Sequence, residues 1–460
     1  MSRIAFWGLV ALVVAAPLPL ASNRPGPWSA LALCTGVLLI LWAIAAMRGR
    51  SRGASSADRF LLLPAILFLA ALGWMLCQSF LPLPAEWQPQ ALQRGRALLG
   101  EPAANVMGLD PGGAWHVLMR LATYAGVFFL AWEFGRVRER AHAMLAAIVI
   151  AGIAYALYGL IVHLGDYRLV LWYPKTSYGD GLTSTFINRN NYATYAGLGL
   201  LSALALMFGQ WRQRHDRRHR SLSETRSTRA EALDWSIGFL TLAAAATASA
   251  LVLTGSRGGF YALAIALAGG VALLAIARLL RGWQLIGALT LGAIAAIAIL
   301  LSLGGGLAVR LGTASASVES SRGDIFRPTI AAIVERPLLG YGAGSFQGVF
   351  ESVNTGELYR QGYSIDKAHN TYLELALEAG IPAALALVSS VFAFAALCVV
   401  ALIRRKAVRF ALAGTTASLM VGAHALVDFS LQMPAVAVTY AAILGVCAAQ
   451  SLQRLSERDS

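Results

Sequence analysis

Three side chains in this 460-residue sequence have the types and settings that phosphate and hydroxyl chemistry uses: His369, Arg322 and Arg257. His369 lies in Ala368-His369-Asn370-Thr371-Tyr372-Leu373-Glu374-Leu375, whose apolar spacing from Tyr372 predicts a helix leading to Gly380. An unperturbed imidazole titrates near pH ~6.5, which suits a general base. A histidine with a purely structural role satisfies the same pattern. Arg322 lies in Ser320-Ser321-Arg322-Gly323-Asp324-Ile325-Phe326. Ile330, Ile333 and Val334 then repeat at helical spacing on the way to Pro337. Ser320 or Ser321 can cap that helix, placing Arg322 at an N-terminus whose N–H groups favour an anion. A surface ion pair of Arg322 with Asp324 or Glu319 is the alternative.

Arg257 sits in Thr254-Gly255-Ser256-Arg257-Gly258-Gly259, which joins two apolar runs with almost no loop. An arginine at a membrane boundary faces a cavity or partner, or snorkels as an anchor. A second amide-rich stretch, Phe186-Ile187-Asn188-Arg189-Asn190-Asn191-Tyr192-Ala193, suits a hydroxyl-rich ligand or a helix cap. Asp428 heads a short turn, residues 428–435, where it can orient an arginine or the histidine, or simply end a helix. No Asp-x-Asp pair and no Gly-x-x-x-x-Gly-Lys-Ser/Thr nucleotide loop is present. Phosphate handling is therefore expected to rest on arginines, with no metal and no cofactor.

The elements that must position these residues are membrane-length. The chain is 57% hydrophobic and 13% charged, whereas a soluble domain carries about a quarter charged residues. A bilayer core of roughly 30 Å needs about 20 apolar residues per helix. Runs of that size predict an all-α polytopic protein with twelve spans, near 4–20, 28–47, 60–78, 115–133, 141–164, 191–209, 235–254, 258–278, 283–303, 381–403, 409–428 and 435–452. The first run is read as a retained helix rather than a leader, because Pro17, Pro19 and Asn23 follow it.

With both termini inside, the inner loops take 23 of the 37 Lys and Arg, and the whole formal charge of +14 falls on that side. This distribution points to orientation and contact with anionic lipid, and not to nucleic acid. The most basic stretch, residues 212–229, is expected as a solvated, partly disordered inner loop. Cys34, Cys77, Cys398 and Cys447 lie far apart in apolar runs and are expected as small buried residues, without disulfide or metal. The largest outer loops, 79–114 and 304–380, face one compartment, the periplasm of a Gram-negative cell. Residues 310–383 carry helical periodicity, aromatics and the turn Pro337-Leu338-Leu339-Gly340-Tyr341-Gly342-Ala343-Gly344, so they read as folded and functional. A transporter or flippase of lipid-linked sugars is the competing reading, but no matched pair of broken helices is evident. A scaffold would leave the arginines and histidine unexplained.

Taken in order, these stretches resemble the bacterial O-antigen ligase and O-antigen polymerase family over about residues 180–445. The resemblance rests on the amide stretch 186–193, Ser256-Arg257-Gly258, Arg322, Pro337-Leu338-Leu339-Gly340 with Gly342 and Phe346, His369-Asn370, Gly380 and residues 428–435. Ala383 departs from the residue expected three positions after that glycine in ligases. The resemblance implies a membrane glycosyltransferase architecture: N-terminal spans at 1–180, a ligase-like core at 181–445 and a cytoplasmic tail at 446–460. It also implies a location in the bacterial inner membrane, with the site facing the periplasm. The implied donor is a glycan on undecaprenyl diphosphate, and the acceptor is a hydroxyl of lipid A–core, another glycan or a protein. By the same resemblance His369 is the catalytic base and Arg257 and Arg322 bind the diphosphate, with Asn188, Arg189, Asn190, Asn370 and Asp428 in the substrate site.

Overall fold

The computed structural model describes residues 2–48, 56–100, 106–175, 178, 181–218, 227–280, 282, 287, 315–353 and 365–457. Side chains of 56–58, 85, 91, 92, 95, 96, 99, 216–218, 227–235 and 315–322 lie outside that description. The helices are α1 (Ser2–Ala15), α2 (Pro25–Arg48), α3 (Leu62–Phe80), α4 (Gln90–Leu99), α5 (Pro111–Gly135), α6 (Arg138–Leu164), α7 (Arg189–Arg218) and α8 (Ser227–Leu253). They continue as α9 (Arg257–Ile276), α10 (Ser315–Glu335), α11 (Phe346–Val353), α12 (Thr371–Ala379), α13 (Ile381–Ile403), α14 (Val408–His424) and α15 (Pro434–Ser456). Two short strands, β1 (Leu169–Val170) and β2 (Tyr173–Pro174), form an antiparallel hairpin before α7.

The protein is all-α and polytopic. Among the described residues nine helices are long and apolar enough to cross a membrane. Of the span expected at 283–303, all but residue 287 lies outside the described residues. The one expected at 4–20 ends at Ala15, ahead of Pro17 and Pro19, and a turn with positive φ at Leu20, Ala21 and Ser22 follows. The one expected at 409–428 stops at His424, after 17 residues, where the chain turns to give that side chain buried polar partners. The basic stretch is partly helical, since α7 runs on to Arg218 and α8 starts at Ser227.

The bundle closes around α15, which is buried almost from end to end. Its backbone lies close to α5: a Cβ on Gly135 would sit 2.7 Å from Val446 Cα, and one on Gly445 would sit 2.7 Å from the Phe128 carbonyl. Small residues at such crossings let apolar helices gain dispersion contacts where no hydrophobic effect drives them together. Cys398 and Cys447 are buried beside Gly414, whereas Cys34 is exposed and Cys77 half-buried, against the expectation for them; all four are free thiols.

The described part of the segment read as 310–383 is folded. Ile325, Ala332 and Ile333 of α10 join Tyr341, Phe346, Val349, Phe350, Ala368 and Leu377 in one apolar cluster. Of the expected stripe only Ile333 is buried; Ile330 and Val334 face outward, because the helix docks through its Ile325–Ala332 face. The glycine turn after α10 is hydrogen-bonded onto α12, with Tyr341 N–H donating to the Leu377 carbonyl at 3.0 Å and Gly342 N–H to that of Glu378 at 2.8 Å. The turn is also tied to α3, where Gln78 Nε2 donates to the Leu339 carbonyl and Trp74 Nε1 to that of Ala379. Together these bonds fix where α12, headed by His369, sits on the bundle.

Candidate active site

His369 immediately precedes Asn370, the residue that caps α12. The Asn370 Oδ1 accepts from the N–H groups of Tyr372 and Leu373, each at 3.0 Å, satisfying two of the helix's free donors. Its Nδ2 donates to the Leu426 carbonyl at 2.9 Å. The Asn370 side chain is thus engaged on both ends by the protein. Thr371 adds two bonds to the same loop, from its N–H to the Ala425 carbonyl at 2.9 Å and from its Oγ1 to that of Asp428 at 3.1 Å. The head of α12 is therefore stitched to the loop between α14 and α15. His369 is left half-buried, its ring edge-on to Phe429 with centroids 5.0 Å apart. Its φ of +52° is a left-handed conformation that non-glycine residues seldom adopt. Such strain is held by the surrounding bonds, and it is a recurrent feature of functional positions.

Under this loop lies a residue that sequence reasoning passed over. His424 is 1% exposed, with Nδ1 2.5 Å from Thr194 Oγ1 and 3.2 Å from Ser430 Oγ. Ser430 Oγ in turn donates to Asn191 Oδ1 at 3.0 Å. Asp428 shares this burial; its Oδ1 accepts from the Phe429 N–H, and its Oδ2 is 3.9 Å from His424 Nε2. Asp428 is thus placed with His424, four residues before it, and supports the backbone carrying Phe429. The available signal was a histidine ending an apolar helix with a carboxylate four residues on.

The same histidine reaches the arginine turn. A Cβ on Gly258 would lie 3.0 Å from His424 Nε2, and one on Gly259 would lie 2.7 Å from Ala193 Cβ. These glycines let the start of α9 wedge between α7 and the loop after α14. Ser256 caps α9 by accepting from the Gly259 N–H at 3.1 Å, so Arg257 is the first helical residue, and it is exposed. Arg189 opens α7 beside the same turn, with its Nη1 next to Gly255 and its guanidinium over the Tyr178 ring at 5.3 Å. Its Nε is buried without a hydrogen-bond partner. Asn188 caps α7, its Oδ1 accepting from the Asn190 N–H at 2.8 Å, and Asn190 is half-buried alongside.

The helix N-termini carrying Arg189, Arg257 and His369 thus meet around one buried network built from Asn191, Thr194, His424, Asp428 and Ser430. Arg322 differs from its expected setting. Helix α10 begins at Ser315, so Arg322 lies inside the helix and neither Ser320 nor Ser321 is a cap. Its side chain lies outside the described residues. One helical turn later, Ile325 belongs to the cluster that includes Ala368, next to His369.

Residues 242–388 match the sequence profile of a family described as O-antigen ligase. The matched segment contains Arg257, Arg322 and His369, and it runs from α8 into α13. The match spans about a third of the chain and supports an assignment to the O-antigen ligase/polymerase family. That likeness, together with the membrane-length helices, supports a membrane glycan-transferring enzyme. Asn188, Arg189, Asn190, His424 and Asp428 lie beyond the matched segment, although the fold brings them against it. No curated protein sequence matches the chain.

Helix α12 carries two buried carboxyl groups, Glu374 and Glu378, inside the matched segment. Glu374 accepts from the Ala368 N–H at 2.9 Å and from Lys367 Nζ at 3.2 Å, holding the backbone on the N-terminal side of His369. Glu378 receives the Phe346 N–H at 3.2 Å. Burial, with the Glu374 carboxylate nearby, pushes the Glu378 carboxyl up to about 7, against the opposing pull of Lys367 and of the Gly344 and Phe346 N–H groups. A folded-state value above the ordinary 4.5 means the native protein binds the proton more tightly than the unfolded chain. The stabilisation is complete below that ordinary value and is lost as pH rises through about 7. The melting temperature of the purified protein is expected to fall across this interval. Glu378→Gln should flatten that slope, as read by scanning fluorimetry at a series of pH values.

Proposed function

We propose that the enzyme transfers a glycan from undecaprenyl diphosphate to a hydroxyl acceptor at the outer membrane face, with His369 as the base. The acceptor oxygen forms a bond to the anomeric carbon as the bond from that carbon to the diphosphate oxygen breaks. The electron pair leaves with the lipid diphosphate, and the hydroxyl proton passes to the imidazole. A single displacement inverts the anomeric centre. Arg257 and Arg189, with Arg322 from α10, stabilise the negative charge that grows on the leaving diphosphate; a guanidinium fork matches phosphate oxygens.

The observation that carries this reading is the convergence of the Arg257 turn and the His369–Phe429 pair on one loop, residues 424–430. Asn370 and Asp428 contribute by holding that loop and the head of α12 in register, and Asn188 by starting α7 beside Arg189. With the inner loops carrying the basic residues, this end of the bundle faces the periplasm and both termini are cytoplasmic.

Arg257→Ala is expected to lower glycan transfer by about 10²–10³-fold, the usual effect of removing one group that stabilises developing charge. Arg257→Lys should recover only part of that loss, because an ammonium lacks the fork. The readout is lipid-linked glycan consumed by purified enzyme in nanodiscs. Unchanged transfer in Arg257→Ala would remove that residue from the diphosphate site.

A further inference from the structure

The end of the bundle opposite the candidate active site gathers cations that the proposed chemistry does not use. Arg138 and His142 lie one turn apart on α6 and share a face. Arg409 lies in the first turn of α14. It is within electrostatic range of both, and it repels Arg138. Gly209 of α7 makes room for it: a Cβ there would sit 2.8 Å from Arg409 Cβ and 3.2 Å from its Cδ. Arg409 is half-buried, with its guanidinium over the Phe410 ring at 5.1 Å. Gly209 comes twenty residues after Arg189, about 30 Å along α7, so this cluster sits a membrane's thickness from the arginine turn.

Among the described residues no carboxylate forms an ion pair with Arg138 or Arg409; Glu133 is bonded to Arg136 at 3.3 Å, and Glu139 is exposed. Other basic residues at this end are engaged by the protein. Arg140 donates to Ser2 Oγ at 3.1 Å, and Arg405 donates to the Ala277 carbonyl at 2.6 Å. His142 Nδ1 is buried without a hydrogen-bond partner. That cost is removed by a ligand oxygen when the nitrogen carries its proton. Both helix starts are open as well. Val137 precedes α6 and Ala407 precedes α14, and neither supplies a capping side chain. Their free N–H groups and the positive ends of two helix dipoles add to the same field. Two guanidinium groups and an imidazole at two uncapped helix starts are the complement of a phosphate.

We propose that Arg138, His142 and Arg409 form a phosphate site at this end of the bundle, the inner face in the orientation proposed above. The phosphate is the headgroup of an anionic lipid or a free phosphate ion, which present the same oxygens to a guanidinium fork. A basic pocket between spans on the cytoplasmic side is a recurrent headgroup setting, and Arg138 is exposed, so the site is open to the leaflet. The diffuse charge of the inner loops attracts a whole membrane surface. This cluster instead fixes one group, because α6 and α14 bring its members together from positions 271 residues apart. The site also belongs to helices that frame the candidate active site. At their outer ends α7 and α14 meet through Thr194 and His424. A phosphate on Arg409 ties down the other end, where α14 lies against Gly209. The site stands on this geometry and does not depend on the glycan chemistry.

The test is a titration of phosphatidylglycerol against the purified full chain in neutral detergent. Bound lipid is counted by native mass spectrometry, and the melting temperature is read alongside. The parent is expected to retain phosphatidylglycerol in preference to phosphatidylcholine and to melt higher with it. Arg409→Gln and Arg138→Gln should each weaken that binding about tenfold, the loss expected for a charge-assisted hydrogen bond, and remove the gain in melting temperature. Arg138 is exposed, so its variant decides the matter if Arg409→Gln folds poorly. Arg454→Gln removes one positive charge from α15, where the side chain is paired with Glu457 at 2.8 Å, and should leave binding unchanged. Excess inorganic phosphate separates the two sources. Displacement of the lipid, with the higher melting temperature kept, identifies free phosphate as the occupant; lipid that stays bound identifies the headgroup. The proposal is overturned if neither phosphatidylglycerol nor phosphate is held, or if binding survives either variant in folded form. It also falls if phosphatidylcholine binds equally, or if Arg454→Gln weakens binding as far as Arg138→Gln.

Discussion

His369→Ala is expected to lower glycan transfer by about 10²–10⁴-fold, the contribution typical of a positioned general base. The loss should appear in the chemical step and not in folding. Asn370, and not His369, caps α12 and ties it to the loop after α14. His369 is half-buried, and its ring packs on Phe429. Alanine at a φ of +52° would add some strain of its own. His369→Asn separates the two effects, since asparagine tolerates left-handed backbone but offers no base at this pH. Both variants should melt within a few degrees of the parent and bind the lipid-linked donor, while forming almost no glycosidic bond. Activity retained in His369→Asn would assign the proton to another group.

Gly380→Ala is expected to be the most damaging single methyl in the described protein, destabilising it by more than about 3 kcal/mol. Gly380 joins α12 to α13 with a φ of +80°, a backbone shape nearly closed to side-chain-bearing residues. Its missing side chain also faces backbone. A Cβ there would collide with the Leu338 carbonyl oxygen, and one on Gly340 would collide with that of Glu378. Neither carbonyl can move freely, because the same segment carries the Tyr341, Gly342 and Ile381 N–H bonds that latch the glycine turn to α12. Gly348→Ala is the control, since nothing lies within 4 Å of a Cβ there. It sits inside α11, where alanine is the better helix former by up to about 1 kcal/mol. Folded yield and melting temperature in detergent should separate the two variants; equal stability would mean that the turn does not anchor α12.

The sequence was informative where cost makes a residue conspicuous. Charged or amide groups at the edges of apolar runs stand out against a 13% charged background, and Arg257, Arg189, Asn188 and Asn370 all prove to lie at helix starts. Capping needs only neighbouring residues, so the roles of Asn188 and Asn370 as caps were readable locally. Where several local choices were equivalent, the pattern could not decide. Ser315, Ser317, Ser320 and Ser321 can each start a helix, and α10 starts at the first of them. Its apolar residues offer two stripes, and periodicity does not say which one docks; the Ile325–Ala332 face is buried and Ile330 stays outside. The network under the site was hidden for a different reason. His424 looks like one polar residue in a membrane run until Thr194, 230 positions earlier in the chain, is brought to its ring. The cation cluster at the opposite end is likewise hidden until Arg409 is brought to Arg138 and His142, to which no spacing rule connects it.

The most direct measurement is the stereochemistry and stoichiometry of one turnover. Purified protein in nanodiscs would be given a lipid-diphosphate glycan of defined anomeric configuration and a hydroxyl acceptor. The product linkage would be read by NMR and the released lipid diphosphate counted. The expected result is one lipid diphosphate freed per glycosidic bond, with the anomeric configuration inverted. A retained configuration, or movement of the lipid-linked glycan across the membrane with no new bond, would contradict displacement at His369 assisted by the arginine turn.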